Sequence, residues 1–460
     1  MADSTASAGS APTPRVTFLD VLRRRGFRNL WLGQIVSQIG DYFAFLAMTV
    51  VVSGFASDQQ SMTLAVSGMM IAFTLPRLLF GVIAGVFVDR WDRRRTMIVS
   101  DLIRATLTLG LIPAFLNKNL WLMYAMAFAM STVGTLFGPA KQALLPRLVP
   151  DTHLLAANSL SQTSQMLATL IGPALAGASF QLAGPGNQWF AFLIDSISFL
   201  VSAVAIWSIR EDASVARTAA PAAGLRAQIR QVNGELMVGL RALLLNRTIT
   251  TMAAVMVITM LGAGAINVLF LVFLRQRFGF VSSELAWRAS IMDIAVAAGM
   301  IGASVLIGNF LSHVSPKWLV VNALIGIGIT VGVFCFLPDY WTMVGAMLFV
   351  GIFNAPINAG VGTLLQLLVP NEQLGRVGGG LGTLGDAASL ASMSLAGALG
   401  AALGIPVVFV LGGLFCIAGG VLAWVTLPAI SARSHAARPA QPDVDAVAPR
   451  STSLDEAAAL

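Results

Sequence analysis

The sequence predicts an all-α integral membrane protein with twelve transmembrane helices, arranged as two pseudo-symmetric six-helix bundles with both termini in the cytoplasm. Three observations predict this class: long apolar segments, basic residues placed mostly in alternate loops, and a repeat between the two halves. Of the 460 residues, 57% are hydrophobic and only 11% are charged, with a mean hydropathy of +0.80. The apolar segments are continuous and reach the ~20 residues that cross a bilayer as a helix, whereas a barrel strand needs about 9–11 alternating residues.

The apolar segments follow one another through most of the chain. The predicted spans are residues 30–54, 61–88, 97–117, 120–143, 154–183, 189–209, 248–273, 289–311, 317–337, 340–366, 374–403 and 406–428. The first span follows a polar leader and is too long for the apolar region of a cleavable signal peptide, so we expect no such signal.

Basic residues give the predicted orientation. Of the 28 Lys and Arg, four lie in odd-numbered loops and two lie inside spans, and the rest lie in the termini and the even-numbered loops. By the positive-inside rule the termini are therefore cytoplasmic. The net charge of +7 is explained by this placement, and we expect no nucleic-acid partner.

The polar segments divide the chain into regions. Residues 1–14 and 431–460 are rich in Ala, Ser and Pro and are predicted to be disordered tails. We expect six-helix bundles at residues 15–209 and 248–430, joined by a cytoplasmic linker at 210–247. Within this linker, residues 225–245 form either an amphipathic helix on the membrane surface or a plain flexible connection.

The two halves share short sequence blocks. Residues 137–140 (Phe-Gly-Pro-Ala) and 148–151 (Leu-Val-Pro-Asp) correspond to residues 353–356 (Phe-Asn-Ala-Pro) and 368–371 (Leu-Val-Pro-Asn). A parallel repeat of six helices, with a site between the halves at mid-membrane, is typical of alternating-access transporters. It is not expected of a receptor, and a channel would more often need an oligomeric pore.

The loop after the second span carries the most specific motif. Residues 85–94 follow the pattern Gly-x-x-x-Asp-Arg-x-x-Arg-Arg, which resembles the signature loop of the major facilitator superfamily. Residues 30–41 (Leu-Trp-Leu-Gly-Gln-x-x-Ser-x-x-Gly-Asp) and residues 75–79 (Leu-Pro-Arg-Leu-Leu) resemble its drug:proton antiporter branch, which includes macrolide and enterobactin exporters. Asp92 stands where the superfamily pattern usually has Gly. The equivalent loop of the second half, residues 308–317, lacks the acidic and basic pattern.

This resemblance implies the major facilitator fold in a bacterial inner membrane. It implies proton-coupled antiport, so the expected partners are a small amphiphilic substrate, protons and the lipid bilayer, and we expect a monomer. The chain has no Gly-x-x-x-x-Gly-Lys-[Ser/Thr] nucleotide-binding loop and no cluster typical of a catalytic or metal site, so we predict neither an enzyme nor a cofactor.

We interpret the motif loop as a conformational latch formed by Gly85, Asp89, Arg90, Arg93 and Arg94. Asp89 is predicted to face the start of the eleventh helix, where free backbone N–H groups favour an anion. Arg93 and Arg94 would anchor to nearby carboxylates or carbonyls. The latch would hold the halves together on the cytoplasmic side and so stabilise the outward-open state. The alternative is that these arginines only set the topology.

The fifth span carries a second motif, Gly172-Pro173-x-x-x-Gly177, which resembles a helix motif of proton-linked exporters with Ala176 in place of one Gly. Small residues would let the fifth and eighth helices approach closely, and Pro173 would bend the fifth. Ordinary helix packing explains the same residues equally well.

Ionisable residues at mid-membrane are the candidates for proton coupling, because charges in the hydrocarbon core are costly and are usually functional. Asp41 lies about 16 Å along the first span. If Asp89 meets the start of the eleventh helix, Arg77 and Asp386 each lie about 18 Å deeper and reach the same level. We therefore predict an Arg77–Asp386 pair between the halves, with Asp41 close enough to compete for Arg77. The alternative is a permanent structural ion pair.

Other ionisable residues have weaker assignments. Asp101 and Arg104 are expected to pair locally, since they are one helical turn apart. Asp195 and Asp293 are expected in the outer thirds of their helices, where they line a vestibule or are simply hydrated.

Mid-helix polar residues provide a candidate substrate cavity, although an interhelical hydrogen bond is at least as common a role for a buried amide. The predicted lining residues are Gln34, Ser37, Gln38, Gln162, Gln165, Asn354 and Asn358.

Together these features predict a proton-coupled exporter of drugs, secondary metabolites or siderophores that works by alternating access. The closest alternative is a lipid or lysophospholipid transporter without obligatory proton coupling, because residues 137–141 (Phe-Gly-Pro-Ala-Lys) and Ala157-Asn158 also resemble that branch. A membrane sensor built on a transporter scaffold is the alternative from another class.

Overall fold

Twelve long helices make up most of the part of the chain that the structure describes. The computed structural model describes residues 18–55, 58–184, 186–209, 234, 247–280, 282–310, 314–369 and 371–427. A short helix at Phe18–Leu22 precedes the long ones. The long helices are α1 (Arg25–Phe55), α2 (Gln59–Arg90), α3 (Arg93–Leu116), α4 (Leu120–Leu148), α5 (Asp151–Ala183), α6 (Trp189–Trp207), α7 (Arg247–Phe278), α8 (Ser282–Phe310), α9 (Pro316–Val333), α10 (Tyr340–Leu368), α11 (Asn371–Leu403) and α12 (Ile405–Thr426).

Short polar residues start several of these helices directly after the preceding one. The side chain of Asp92 accepts a hydrogen bond from the backbone N–H of Arg95 at 2.7 Å, and Asn119 does the same for Leu122 at 3.0 Å. Asp339 forms a capping box at the start of α10. These caps satisfy backbone donors that the first turn of a helix leaves free, so that tight turns can join adjacent membrane helices.

The twelve helices form two bundles with the same packing pattern. In the first bundle α1 packs on α5 and α6, α2 on α4, and α3 on α4 and α6. In the second bundle α7 packs on α11 and α12, α8 on α10, and α9 on α10 and α12. The bundles meet mainly through α2 with α11 and α5 with α8. All twelve helices are long and apolar enough to cross a membrane, so the predicted twelve-helix, two-bundle fold class is confirmed.

Arg93, Arg94 and Arg95 lie at the α2–α3 turn. We call this end of the molecule the basic end. Contacts between the bundles run from mid-membrane to the other end. There, a Cβ atom on Gly397 of α11 would lie 2.5 Å from the Cβ of Ser67 on α2, and the guanidinium of Arg275 donates to the Ser53 hydroxyl at 3.1 Å.

Towards the basic end the space beside α11 opens. Within the part of the chain that the structure describes, nothing lies within 4 Å of a Cβ built on Gly378 or Gly382. On α5 the side chains of Gln162, Gln165 and Met166 are exposed in the corresponding half. Among the residues that the structure describes, the bundles therefore contact each other at the far end and leave a space between them towards the basic end.

One helix start differs from its prediction. The span predicted at 289–311 begins seven residues earlier as α8, at Ser282. Glu284 and Arg288 lie before the predicted start, and they pair one turn apart at 3.4 Å within the helix. Asp293 consequently lies about 16 Å from the start of α8 and not in its outer third.

The predicted tails at 1–14 and 431–460 and nearly all of the predicted linker at 210–247 lie outside the described residues. Their predicted character stays a prediction.

Candidate functional site

A recess in the first bundle opens beside its mid-membrane charges. Its volume is about 480 Å³, within the range of small-molecule sites. Helices α1, α2, α3, α4 and α6 contribute its lining residues, which are Asp41, Tyr42, Ala44, Phe45, Met48, Phe73, Arg77, Arg104, Met130, Ser131, Gly134, Thr135 and Asp195.

An ion pair between α1 and α3 forms the charged wall of this recess. The Nη2 atom of Arg104 lies 2.7 Å from Oδ1 of Asp41. Arg104 is 16% exposed, whereas Asp41 is 43% exposed, so the carboxylate is the partner that faces the cavity. The guanidinium of Arg104 also stacks on Phe199 of α6, 3.9 Å from the ring centroid. This cation–π contact holds the arginine in place from behind.

Two further carboxyl groups lie behind this pair, and both are fully buried. Oδ1 of Asp101 is 4.0 Å from Nη1 of Arg104, and the Ser202 hydroxyl of α6 lies close to its carboxyl group without a hydrogen bond of normal geometry. Asp195 lies within 3.4 Å of the Thr108 hydroxyl and 3.2 Å of the Ser198 hydroxyl. Three carboxyl groups therefore surround a single guanidinium.

The hydroxyl groups beside Asp195 also donate to backbone carbonyls. Thr108 donates to the carbonyl of Arg104 at 2.8 Å, and Ser198 donates to the carbonyl of Asp195 itself at 2.7 Å. A hydroxyl carries one hydrogen, so each group shares it between a backbone carbonyl and the Asp195 carboxyl oxygen. Neither hydroxyl is therefore committed to Asp195 alone.

The structure changes the predicted partner of Asp41. Asp41 was expected to compete for Arg77, but its carboxylate pairs with Arg104. The local Asp101–Arg104 pair is present only at 4.0 Å, because the guanidinium points towards Asp41. Asp195 was expected to be hydrated or to line a vestibule; its side chain is fully buried and borders the recess behind Asp41 and Arg104.

Arg77 and Asp386 meet across the two bundles, as the depth argument predicts. Nε of Arg77 donates to Oδ2 of Asp386 at 3.0 Å, and a second contact joins Nη2 to Oδ1. Arg77 is 66% exposed and Asp386 is 23% exposed, so the pair borders the open space. Its role in proton coupling stays a prediction.

The Arg77–Asp386 pair can be tested by a double-mutant cycle. We expect Asp386→Asn to lower the midpoint of thermal unfolding, because Arg77 loses its partner at mid-membrane depth. In the double variant Arg77→Gln/Asp386→Asn we expect a smaller loss than the sum of the two single losses, with a coupling of about 0.5–3 kcal/mol. Strictly additive losses would show that the pair contributes nothing between the bundles.

The motif of α5 lies at two close helix contacts. A Cβ on Gly172 would be 2.7 Å from Cγ of Tyr42 on α1, within the same bundle. A Cβ on Gly177 would be 2.7 Å from the Cβ of Ser290 and 3.1 Å from the Cα of Trp287, both on α8. Pro173 lies inside the helix. Gly177 therefore allows the predicted approach of α5 to α8, whereas Gly172 makes room for Tyr42.

The predicted amide-lined cavity contains both buried and accessible residues, and its role in substrate binding stays a prediction. Gln34 and Ser37 are buried, at 8% and 4% exposure, in the packed half of α1. Gln38 lies beside them, and its Oε1 atom is buried without a hydrogen-bond partner among the described residues. These three residues pack inside the first bundle because this part of α1 lies against α5, where Trp31 donates to the Ser164 hydroxyl at 2.7 Å.

The other predicted cavity residues are accessible to different degrees. Gln162, Gln165 and Asn358 are exposed and Asn354 is half-buried. The Asn358 amide donates to Oδ1 of Asn354 at 2.7 Å, one turn away on α10. Substrate contact by these four amides stays a prediction.

The motif loop differs in part from the predicted latch. Gly85, Asp89 and Arg90 lie in the last turns of α2, but their side chains, and those at the start of α11, are outside the described part of the chain. The predicted contact of Asp89 with α11 stays a prediction. For Arg93, the Nε and Nη1 atoms are buried without a partner among the described residues.

Arg94 anchors within one bundle. Its Nε donates to the carbonyl of Ile206 at 3.1 Å and its Nη2 donates to the carbonyl of Trp207. These carbonyls end α6, where a cation offsets the negative end of the helix dipole. Arg94 therefore anchors to carbonyls, as predicted, and because these carbonyls belong to its own bundle the contact connects α3 to α6.

The contribution of Arg94 to stability can be measured directly. We expect Arg94→Ala to destabilise the protein by about 1.5–3 kcal/mol, since hydrogen bonds to a charged group are lost from a helix end. The matched control is Arg95→Ala, whose side chain is exposed and for which a change within about 0.5 kcal/mol is expected. Equal unfolding midpoints for the two variants would contradict the assignment.

Several residues of the recess could not be identified from their positions in the sequence. Tyr42, Phe45 and Phe73 follow the general apolar pattern. Asp195, Ser198 and Ser202 did carry a signal, because their spacing places three polar groups on one face of an otherwise apolar helix.

Comparisons with known proteins agree on the class of molecule. A family model described as transmembrane secretion effector matches residues 16–452. Macrolide efflux protein A of Streptococcus pyogenes is 27% identical over 409 residues, covering 87% of this chain and 92% of that protein. The multidrug efflux pump Tap of Mycolicibacterium fortuitum is 28% identical over 380 residues, covering 80% and 88%.

Solved structures show the same fold. A bacterial homologue of the iron transporter ferroportin, in an inward-facing state, superposes with a TM-score of 0.65 at 14% identity, over 87% of this chain and 98% of that one. A D-xylose–proton symporter gives 0.64 at 14% identity, over 90% and 99%.

Proposed function

Since the chain belongs to the major facilitator superfamily, in the family of transmembrane secretion effectors, and is therefore a multi-pass transporter of the bacterial inner membrane and not an enzyme, we propose that it exports amphiphilic small molecules in exchange for protons. Its relatives named as macrolide and multidrug efflux proteins support the direction of transport. The four-residue cluster of Asp41, Asp101, Arg104 and Asp195 supports the coupling to protons.

The charge of this cluster carries the proposal. With every group ionised, three carboxylates and one guanidinium would leave a net charge of minus two inside the first bundle. Unpaired charges in a membrane interior cost several kcal/mol each. Bound protons remove that cost without any change in the fold. The fully buried Asp195, whose neighbouring hydroxyls share their hydrogens with backbone carbonyls, is suited to hold one such proton.

Asp41 is suited to exchange its proton with the cavity. It is the one member of the cluster with substantial exposure, and its partner Arg104 has a second carboxylate, Asp101, at 4.0 Å. When Asp41 takes up a proton, Arg104 can turn towards Asp101 and keep a negative partner. When Asp41 releases the proton, Arg104 returns. A short movement of one side chain thus links protonation to the α1–α3 contact.

The Arg77–Asp386 pair would transmit this change between bundles. It lies on the same recess as Asp41 and bridges α2 to α11, at the mid-membrane limit of the inter-bundle contacts. We propose that it moves with the bundles as the open side alternates. We further propose that the basic end faces the cytoplasm, as the positive-inside rule predicts, and that the space on this side is the inward-facing opening.

The lining of the open space suits amphiphilic substrates. Phe45, Met48, Phe73 and Met130 surround the charged wall in the first bundle. In the second bundle a largely apolar pocket of about 210 Å³ includes Met252, Met256 and Met260. Flexible methionines and aromatic rings adapt to apolar groups of different shape.

Vesicle flux measurements test the proposal. Liposomes that contain the purified protein are loaded with a fluorescent amphiphile, and a pH gradient is imposed across their membrane in either direction. We expect flux that follows the proton gradient and falls to the level of protein-free vesicles when a protonophore is added. Flux that ignores the gradient would instead support a lipid or lysophospholipid transporter, which lipid scrambling in the same vesicles would identify.

A further inference from the structure

We propose that a groove between α3 and α4, on the outer side of the first bundle at the basic end, binds an anionic phospholipid. The lipid phosphate pairs with Arg95, and an acyl chain lies along the apolar side chains that follow in α3 and α4. This inference concerns the membrane around the protein and does not rest on what the protein transports.

The α3–α4 groove is a second cavity of the first bundle. Its volume is about 430 Å³, and it shares no lining residue with the recess beside Asp41. Trp91, Asp92 and Arg95 line one end of the groove. The other end is apolar, and its lining residues are Val99, Ile103, Val133 and Leu136. The groove is therefore polar at the α2–α3 turn and apolar further along α3.

The apolar end of the groove faces away from the second bundle. The bundles meet mainly through α2 with α11 and α5 with α8, so α3 lies at the periphery of the molecule. Val99 is 52% exposed and Ile103 is 42% exposed, although both belong to a helix that is apolar enough to span a membrane. The Ser100 hydroxyl donates to the Val133 carbonyl at 3.1 Å and joins α3 to α4 along the groove. Such an exposed apolar face contacts lipid acyl chains.

The polar end carries a positive charge without a partner. Arg95 is exposed, and among the described residues its side chain forms no hydrogen bond or ion pair. Asp92 lies beside it, but its Oδ1 atom accepts the backbone N–H of Arg95 at 2.7 Å and so caps α3. Residues 91–96 contain three arginines and one aspartate, a net charge of plus two. A phosphate group is the anion that a guanidinium binds best, through two parallel hydrogen bonds.

The order of polar and apolar groups along the groove matches that of a phospholipid. Trp91 is 47% exposed, and tryptophan is enriched where a membrane meets water. Ile103 lies eight residues beyond Arg95, which is about 12 Å further into the span. Arg95 is thus placed at the level of the lipid headgroups, where basic pockets between membrane helices bind anionic lipids. A soluble phosphate would leave the apolar half of the groove unfilled, so the lining favours a lipid.

The test measures binding of single lipids to the full-length protein in detergent by native mass spectrometry. Phosphatidylglycerol is the anionic lipid, and phosphatidylcholine with the same acyl chains is the comparison. We expect the wild type to prefer phosphatidylglycerol, and Arg95→Gln to reduce this preference about tenfold, equivalent to about 1.4 kcal/mol. Arg28→Gln removes another exposed arginine at the basic end and is the matched control, which should keep the wild-type preference.

A second pair of variants tests the apolar half of the groove. Val99→Trp fills the space that an acyl chain would occupy and should weaken phosphatidylglycerol binding about tenfold. Leu102→Trp is the matched control, because Leu102 is exposed on the same helix but does not line the groove. It should bind the lipid like the wild type. Because Arg95, Val99 and Leu102 are exposed, we expect unfolding midpoints close to that of the wild type in detergent without added lipid.

Three results would overturn the inference: a wild type that binds both lipids equally, equal preferences in Arg95→Gln and Arg28→Gln, or unchanged phosphatidylglycerol binding in Val99→Trp. Displacement of the lipid by inorganic phosphate at the same concentration would also contradict it, since the acyl chain would then contribute nothing to binding. If one variant fails to fold, the other pair of variants still decides the assignment.

Discussion

Asp41→Asn is expected to abolish proton-driven transport while leaving the protein folded. An amide at this position cannot exchange a proton, and Arg104 retains Asp101 as an alternative partner at 4.0 Å. Gradient-driven flux of an amphiphile should therefore fall about a hundredfold, the factor that about 2.7 kcal/mol represents. Flux in proteoliposomes and the thermal unfolding midpoint, measured together, separate loss of coupling from loss of fold.

The matched control for this experiment is Asp58→Asn. Asp58 is also an aspartate of the first bundle, but it caps the start of α2 through the backbone N–H of Ser61 at 3.3 Å, and asparagine is an equally good cap. We expect this variant to transport like the wild type. Gradient-driven flux that survives in Asp41→Asn would remove Asp41 from the proton pathway.

Gly397→Leu is expected to prevent closure of the bundles at the end away from the arginines. A Cβ on Gly397 would already lie 2.5 Å from the Cβ of Ser67 across the α2–α11 contact, and leucine adds three further carbon atoms. Overpacking of this kind costs about 1–3 kcal/mol. This overpacking destabilises the conformation in which the bundles are closed at this end. The ratio of the opposite conformation to this one should therefore rise by about 5- to 150-fold.

Cysteine accessibility measures this shift. Cys335 and Cys416 are buried and can be replaced by serine, after which Gln165→Cys reports on the open side. We expect slower reaction of this cysteine with a maleimide in Gly397→Leu, together with loss of transport. In the control Gly302→Leu, where nothing described lies within 4 Å of the Cβ position, both properties should be retained. Equal labelling of the two variants would contradict the assignment of the closed end.

The sequence was sufficient to predict those features that depend on length, periodicity and depth along a helix. Twelve continuous apolar runs and the repeat between the halves predicted the bundles. The Arg77–Asp386 contact could be predicted because both residues lie twelve positions from helix ends that were expected to meet. Depth alone placed them at one level, and the contact of α2 with α11 then brought them together.

Features that depend on rotation about a helix axis were not predicted. Asp41 was placed at the correct depth, but the turn of α1 relative to α3 directs its carboxylate to Arg104. Gln34 shares a helix face with Asp41, yet Gln34 is buried. Because α1 and α5 cross, this face of α1 lines the recess at the level of Asp41 and packs against α5 at the level of Gln34. Such crossing angles arise from side-chain packing along the whole interface.

The most direct test of exchange is a measurement of proton movement driven by substrate alone. Vesicles containing wild-type protein and a trapped pH dye are given a substrate gradient with no initial pH difference. We predict that protons move in the direction opposite to the substrate, and that Asp41→Asn abolishes this movement. Substrate flux in the wild type without any accompanying change of internal pH would contradict proton-coupled export.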